Sequence, residues 1–354
     1  MLTPEHPDQT PDAAPAATPV RKRMGAPAPE QAAAPPPPAA ASRPTPPVAK
    51  PAAPNRPAWL KPVLIAAGAV VAALLVVLVA RWLRTVPAVE AFIGQYPGHA
   101  ALPESAPTGI PGWLGWQHFL NMFFMVLIIR TGLQVRRTQR PAAYWTRKNT
   151  GLLKTRRPPK KISLDLWLHL TLDFLWALNG IVFMVLLFAT GQWMRITPTS
   201  WDAVPNSVSA LLQYASLDWP TENGWANYNS LQVLAYFATV FIAAPLSLIT
   251  GLRMSNVWPA DAKRLNRLYP VELARAVHFP VMGYFVAFIA VHVFLVFFTG
   301  VLANLNHMYA SNDGASWAGF WVFAASLAVV AAAWLLARPL FLRPLAALTG
   351  SVTK

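Results

Sequence analysis

Six long apolar stretches without a charged residue constrain the fold of this 354-residue chain more than any other feature. A helix rises about 1.5 Å per residue, so about 20 residues cross the ~30 Å hydrocarbon core of a bilayer. Each stretch is therefore predicted to span the membrane, which makes the chain an all-α integral membrane protein with six transmembrane helices. The stretches are residues 62–80, 110–129, 174–194, 231–252, 276–302 and 317–337.

The composition excludes several classes of protein. Charged residues make up 12% of the chain and hydrophobic residues 55%, whereas soluble globular chains carry about 25% charge. The chain has no cysteine, which excludes disulfides, iron–sulfur clusters, thiolate zinc sites and cysteine nucleophiles. A metal would therefore need histidine or carboxylate ligands.

The N-terminal segment differs from the rest of the chain. Of the 35 prolines, 17 fall between Pro4 and Pro57, and large apolar side chains are almost absent there. Such a segment cannot bury enough surface to offset its chain entropy, so residues 1–57 are predicted to be a disordered Pro/Ala-rich tail. Because the first apolar stretch begins only after Lys61, it is interpreted as a signal-anchor helix and not as a cleaved signal peptide.

The basic residues indicate the orientation of the helices. On the six-helix topology, 26 of the 29 lysines and arginines fall in the tail, in residues 130–161 and 253–275, and at the C-terminus. The positive-inside rule then places both termini in the cytoplasm. The net charge of +15 does not indicate nucleic-acid binding, because the basic residues flank apolar stretches and form no patch interleaved with aromatic side chains.

Four of the seven histidines lie in or at the start of the apolar stretches, where ionisable groups are costly and are functional candidates by default. His118 is near the outer end of the second helix, and His169 is near the cytoplasmic end of the third. On the fifth helix, His292 lies about 21 Å beyond His278 and within roughly 40° of the same face. The topology predicts an outer pair, His118 with His292, and an inner pair, His169 with His278.

Two imidazoles that face each other from different helices are the ligands that a six-coordinate haem iron needs. The second nitrogen of each ring would then donate a hydrogen bond that fixes its tautomer. The four histidines are therefore predicted to be the axial iron ligands of two haems.

The histidine pattern resembles the bacterial dihaem cytochrome b family that includes the formate dehydrogenase gamma subunit and the cytochrome subunit of nickel–iron hydrogenase. One histidine lies on the first core helix, one on the second, none on the third and two, fourteen residues apart, on the fourth. The resemblance covers roughly residues 110–305. It is supported by a recurring Thr-Gly dipeptide at helix ends, at residues 131–132, 190–191, 250–251 and 299–300.

The resemblance implies two haem b groups and a four-helix cytochrome core over residues 110–305. An anchor helix and loop (58–109) would precede that core, and a last helix with a short tail (306–354) would follow it. It also implies a protein of the bacterial inner membrane that passes electrons between the quinone pool and a catalytic subunit, of the molybdopterin or hydrogenase type. The chain departs from the family in one respect, because the extra helix at 62–84 makes the first haem-bearing helix start outside.

Three other functions stay open on the sequence alone. The chain could be a stand-alone quinone reductase that oxidises a small outer donor such as superoxide. It could be a haem-free transporter or assembly factor whose histidines relay protons or bind a transition metal. It could also be an anchor whose Pro-rich tail recruits a cytoplasmic partner, a role compatible with electron transfer.

Several further residues carry expectations. Asp173, one turn after His169, either bonds that imidazole, carries a proton to a quinone or faces the headgroups. His307 and Asn304 follow the fifth helix at the outer surface, where they either help to bind a quinone or are simply solvated.

Three local features are also interpreted from the sequence. Asn179 is expected to bond a neighbouring helix, and Pro245 and Pro280 are expected to kink or loosen their helices. The apolar stripe of residues 208, 211, 212 and 215 is predicted to lie on the membrane surface or, alternatively, to dock a partner.

Overall fold

The fold is described from a computed structural model, over residues 57, 59–150, 154, 158–219, 223–259 and 261–354. The expected disordered tail, residues 1–57, lies outside this part of the chain apart from Pro57. In chain order the described elements are α1 (Leu60–Leu83), α2 (Pro87–Gln95), α3 (Gly112–Arg137), β1 (Tyr144–Arg147), β2 (Ile162–Ser163), α4 (Leu164–Ala189), a 3₁₀ turn (Gln192–Arg195), α5 (Ala203–Ala215), α6 (Ser230–Phe237), a π-helical segment (Ala238–Ala243), α7 (Ala244–Met254), α8 (Lys263–Leu268), α9 (Val271–Phe298), α10 (Val301–Leu305), a second π-helical segment (Asn306–Ala310), α11 (Trp317–Leu336), α12 (Pro339–Thr349) and β3 (Gly350–Thr353).

Within the described residues, six helices are long and apolar enough to cross a membrane, which confirms the predicted all-α membrane fold. They are α1, α3, α4, the continuous helix from Ser230 to Met254, α9 and α11. We call the end of the bundle that carries the segments 138–163 and 255–270 the basic end. The loops 84–111, 190–229 and 299–316 lie at the opposite end.

The third span starts ten residues before the uncharged stretch 174–194. Helix α4 runs from Leu164 to Ala189 and includes Asp165 and Asp173. Ser163 begins the helix, since its hydroxyl oxygen accepts the backbone N–H of Leu166 at 3.2 Å. His169 lies inside this helix near its start, as expected.

Proline has different effects in the two helices that contain it. Pro245 follows a π-helical segment, Ala238–Ala243, in which the backbone gains one residue per turn before the normal α-helix resumes. Proline has no backbone N–H, which explains why the helical hydrogen bonds change register at this point. The change agrees with the loosening expected at Pro245. Pro280, by contrast, lies within the uninterrupted helix α9.

A small sheet at the basic end is a feature that the sequence analysis missed. Strand β1 pairs antiparallel with β2 and with the C-terminal strand β3, in the order β2-β1-β3. Helix α12 packs above it through Leu342 and Ala346, and Trp145 donates its indole N–H to the Ala346 carbonyl at 3.0 Å. A Cβ at Gly350 would overlap the Trp145 ring, so the close approach of β3 to β1 requires glycine there.

Histidine pairs as the candidate functional site

The two histidines of the outer pair face each other across the bundle, as predicted. The ring centroids of His118 on α3 and His292 on α9 lie 6.1 Å apart, with the ring planes inclined by 50°. His118 Nδ1 lies 3.0 Å from the hydroxyl oxygen of Tyr309, in the second π-helical segment. Burial raises the pKa of Tyr309 to about 12, so the hydroxyl is neutral at ordinary pH. With Nδ1 engaged by this hydroxyl, His118 has Nε2 to offer a ligand.

Aromatic rings wall the outer pair on the α9 side. The Phe288 ring stacks on the His292 imidazole with 5.7 Å between centroids and 5° between planes. Tyr236 presents its edge to the same imidazole at 6.5 Å, and Tyr228 lies against Tyr236. These rings restrict the orientation of the His292 side chain.

The inner pair is held by two threonines in equivalent positions. His169 Nδ1 lies 3.0 Å from Thr131 Oγ1 on α3, and His278 Nδ1 lies 2.8 Å from Thr250 Oγ1 on α7. Each threonine hydroxyl also donates to a carbonyl one turn earlier in its own helix. A hydroxyl has one hydrogen to donate, so it accepts the Nδ1–H of the histidine and leaves Nε2 with its lone pair.

Asp173 belongs to the inner site. Its carboxylate Oδ2 lies 3.5 Å from His169 Nε2, one turn along the same helix. This distance exceeds that of a normal N–H···O hydrogen bond, so the contact is electrostatic. Asp173 therefore lies beside the His169 imidazole without forming the expected hydrogen bond to it.

The four Thr-Gly dipeptides divide into two structural groups. Gly191 and Gly300 have φ values of 74° and 125° and interrupt the helices at the end opposite the basic end. Gly132 and Gly251 lie inside helices, where the absence of a side chain lets the inner histidines approach the helix backbone. A Cβ built on Gly132 would lie 3.2 Å from His169 Cε1, whereas one on Gly251 would lie 3.7 Å from His278 Cε1.

We expect Gly132→Ala to disturb the inner site and Gly251→Ala to leave it almost unchanged. The added methyl at position 132 is too close to the His169 ring, so the helix or the imidazole must shift by a few tenths of an ångström. At position 251 the methyl would make an ordinary van der Waals contact. Thermal unfolding of both variants measures the difference, with Gly132→Ala destabilised by about 1 kcal/mol or more relative to Gly251→Ala. Equal melting temperatures for the two would contradict the proposed close approach.

Arg195 organises the backbone at the end opposite the basic end. This residue is fully buried, and its guanidinium donates to the carbonyl oxygens of Gly109, Gly224 and Trp225. It also lies over the Tyr228 ring, 5.0 Å from the centroid. Burial lowers the pKa of Arg195 from its usual value and raises that of Tyr228. The arginine thereby joins three loop segments beside the outer pair.

The loop whose carbonyl oxygens accept hydrogen bonds from Arg195 also contacts His307. Trp225 packs its ring 5.6 Å from the His307 imidazole, and His307 Nε2 lies 3.1 Å from Asp313 Oδ1. Asn223 donates to both carboxylate oxygens of Asp313. His307 is buried, so the interpretation of it as a solvated loop residue is wrong. Asn304, on α10, donates to the Val296 carbonyl and the Thr299 hydroxyl at the end of α9.

Several residues of the site were missed by the sequence analysis or were given the wrong role. Tyr309 and Arg195 carried no expectation as site residues, and only the isolated position of Arg195 among acidic loops could have singled it out. The expected inter-helix bond of Asn179 is absent for its amide nitrogen, which is buried without a hydrogen-bond partner in the described part of the chain. The amide oxygen of Gln117, next to His118, is in the same situation.

A membrane-embedded helical bundle in which histidines from different helices face each other defines a protein of the b-type cytochrome class. The sequence profile of the prokaryotic cytochrome b561 family, of the nickel–hydrogenase cytochrome b type, matches residues 110–311. Because the match covers more than half of the chain, this protein belongs to that family and is a membrane haem protein.

One curated relative is similar over much of its length. It is YedZ1 of Azospira oryzae, provisionally described as a subunit of a protein-methionine-sulfoxide reductase. The two chains are 27% identical over 199 residues, which cover 52% of this chain and 88% of the relative. No solved structure matches this chain.

Proposed function

We propose that this chain is a dihaem cytochrome that carries electrons across the bilayer between the quinone pool and a partner oxidoreductase. His118 and His292 ligate one haem and His169 and His278 the other, within a core formed by residues 110–305. A haem supplies reversible one-electron oxidation and reduction at each site. The observation that carries the proposal is the outer pair, in which imidazoles from α3 and α9 face each other, together with His169 and His278, which two equivalent threonines hold.

The spacing of the outer pair fits a haem iron. An iron held by two imidazole nitrogens at about 2 Å each places the ring centroids roughly 6 Å apart. The outer centroids lie 6.1 Å apart, and the Tyr309 contact at Nδ1 leaves His118 Nε2 for the metal. At the inner pair, Thr131 and Thr250 hold both Nδ1 atoms in the same way.

The chain's own residues have defined tasks in this proposal. Tyr309, Thr131 and Thr250 orient the imidazoles and fix their tautomers, and the apolar bundle keeps water away from the haem edges. The basic end, which holds most of the positive charge, faces the cytoplasm of a bacterial inner membrane, and both termini lie there.

The name of the relative supports a catalytic partner for this chain. If the two proteins act alike, the partner is the catalytic subunit of a reductase, and this chain supplies it with electrons from the quinone pool. A stand-alone quinone reductase that oxidises a small outer donor would share the haem sites but would co-purify with no second subunit.

The haem-free alternative is favoured by one contact. Asp173 lies 3.5 Å from His169 Nε2, the nitrogen that the iron would take, and an Asp–His pair of this kind is also suited to a proton relay. A transition-metal transporter has less support. Within the described residues, no three histidine, aspartate or glutamate side chains form a group that could hold a metal ion.

The reduced-minus-oxidised visible spectrum of the detergent-purified chain, with a haem assay, tests the proposal. We expect the bands of low-spin haem b and two haems per chain. One haem per chain would contradict the dihaem arrangement, and a folded protein without haem would move the histidines to proton or metal transport.

We expect Thr131→Val to retain both haems but to raise the midpoint potential of one of them. A hydroxyl that accepts the Nδ1–H makes the imidazole more basic and so stabilises the oxidised iron. Loss of one such hydrogen bond, about 1 kcal/mol, corresponds to a rise of at most about 40 mV for a one-electron couple. A potentiometric titration measures the change.

Thr171→Val is the matched control for this titration. Thr171 lies on α4 close to His169, but its hydroxyl donates to the Trp167 carbonyl of its own helix. Its substitution should leave both potentials unchanged. The same shift in both variants would show that the effect does not come from the histidine contact.

A further inference from the structure

A large apolar cavity lies between α1, α2 and α5, away from the histidine pairs. Its volume is about 690 Å³, in the range of cavities that hold small organic ligands. The walls come from the last turns of α1 and from the apolar stripes of the two short helices, and include Leu75, Val79, Phe92, Ile93, Val208 and Leu212. Helices α1 and α2 lie outside the family match at 110–311, so the cavity is an addition to the shared core.

The amphipathic stripe of α5 is thereby explained. The residues 208, 211, 212 and 215, which the sequence analysis assigned to the membrane surface or to a partner, form one wall of this cavity. Several wall residues, among them Leu75, Val79 and Leu211, are more than half exposed. In a bilayer such side chains face hydrocarbon, so the cavity opens toward the surrounding lipid.

One polar group in the wall requires a partner. Ser209 is fully buried, and its hydroxyl oxygen has no hydrogen-bond partner in the described part of the chain. An unsatisfied hydroxyl away from water costs free energy, which a ligand carbonyl would recover. The lining therefore fits a long apolar chain that carries a single hydrogen-bonding group.

Positive charge lies beside the opening. Arg81 and Arg84 follow the wall residues Ala80 and Leu83 at the end of α1. Arg81 donates to the Ser216 carbonyl at 3.0 Å, and Arg84 bonds the Ser216 hydroxyl and the Asp218 carboxylate. These contacts hold both guanidinium groups at the mouth of the cavity, where they complement an anionic headgroup.

We propose that this cavity binds one membrane phospholipid. An acyl chain occupies the apolar interior, an ester carbonyl accepts a hydrogen bond from Ser209, and the phosphate lies against Arg81 and Arg84. An isoprenoid quinone would fill the same volume, but it carries no anionic group for the two arginines. The proposal does not depend on haem binding, because neither the cavity nor its mouth includes a histidine.

Native mass spectrometry of the full-length protein in mild detergent tests the proposal, together with quantification of the lipids extracted from it. We expect one phospholipid per chain in the wild type. Ala215→Trp and Ala88→Trp each place a large ring in the cavity and should lower that occupancy at least fivefold. Val71→Trp, on the exposed face of α1 outside the cavity, is the control and should retain the lipid.

The headgroup part of the proposal has a separate readout. In nanodiscs that contain phosphatidylglycerol and phosphatidylcholine, Arg81→Gln should keep the acyl chain but lose the preference for the anionic lipid. Elution volume and melting temperature verify that each variant is folded, independently of haem. Wild-type occupancy in both tryptophan variants would overturn the proposal, as would an isoprenoid quinone extracted from the cavity in place of phospholipid.

Discussion

Replacement of His118 or His292 by alanine is expected to remove one of two haems and to leave the other in place. On the proposed function, each variant deletes one of the two ligands of the outer pair, whose rings lie 6.1 Å apart, and leaves the two inner histidines in place. His169→Ala and His278→Ala should remove the other haem by the same logic. Haem content should fall from two to about one per chain in each variant, because an axial ligand cannot be replaced by an apolar side chain. Haem assays and low-temperature visible spectra of the four proteins measure this.

His307→Ala is the matched control for these four variants. His307 is also a buried histidine near the outer pair, but its Nε2 is engaged by Asp313 and its ring packs on Trp225. It should retain both haems. If His118→Ala and His278→Ala lost the same haem, the assignment of the pairs would be wrong, whatever the total haem content.

Arg195→Leu is expected to destabilise the protein at the end opposite the basic end. The change removes the donor of the Gly224 carbonyl, whereas the carbonyl oxygens of Gly109 and Trp225 keep a second donor each, Gln192 Nε2 and the Gly109 backbone N–H. An unpaired buried acceptor costs about 1–3 kcal/mol, so the free energy of unfolding should fall by about that amount. The melting temperature should fall by about 2 °C or more, since a change of 1 kcal/mol corresponds to about 2–4 °C for a domain of this size.

The loss of local stability in Arg195→Leu should be greater around the outer pair than at the inner pair. Arg195 holds the Trp225 loop against His307 and lies over Tyr228, which contacts Tyr236 beside His292. Hydrogen exchange of residues 223–229 should therefore increase. Arg264→Leu, on the exposed face of α8, is the control and should change the melting temperature by 1 °C or less. Equal melting temperatures for the two variants would mean that the Gly224 carbonyl finds another donor.

The membrane fold and the histidine pairing could be predicted from the sequence because both depend on local and additive properties. Hydrophobic length determines where a chain crosses a bilayer, and helical periodicity with alternating direction determines the depth and face of each histidine. His118 and His292 therefore come together as expected. The uncharged stretch 174–194 marks only part of α4, because this helix begins after the Ser163 cap and includes the acidic residues at positions 165 and 173.

The partners of the histidines were decided only by the tertiary structure. Thr131 meets His169 from another helix, and Tyr309 reaches His118 from a π-helical turn 191 residues away in sequence. No periodicity specifies which hydroxyl lies within 3 Å of an imidazole nitrogen, since that depends on how helices pack. The same holds for Arg195 and for the cavity between α1, α2 and α5, because both arise from segments that are distant in sequence. The sequence by itself determined where the chain crosses the membrane and which histidines share a depth, whereas helix packing decided what each of them touches.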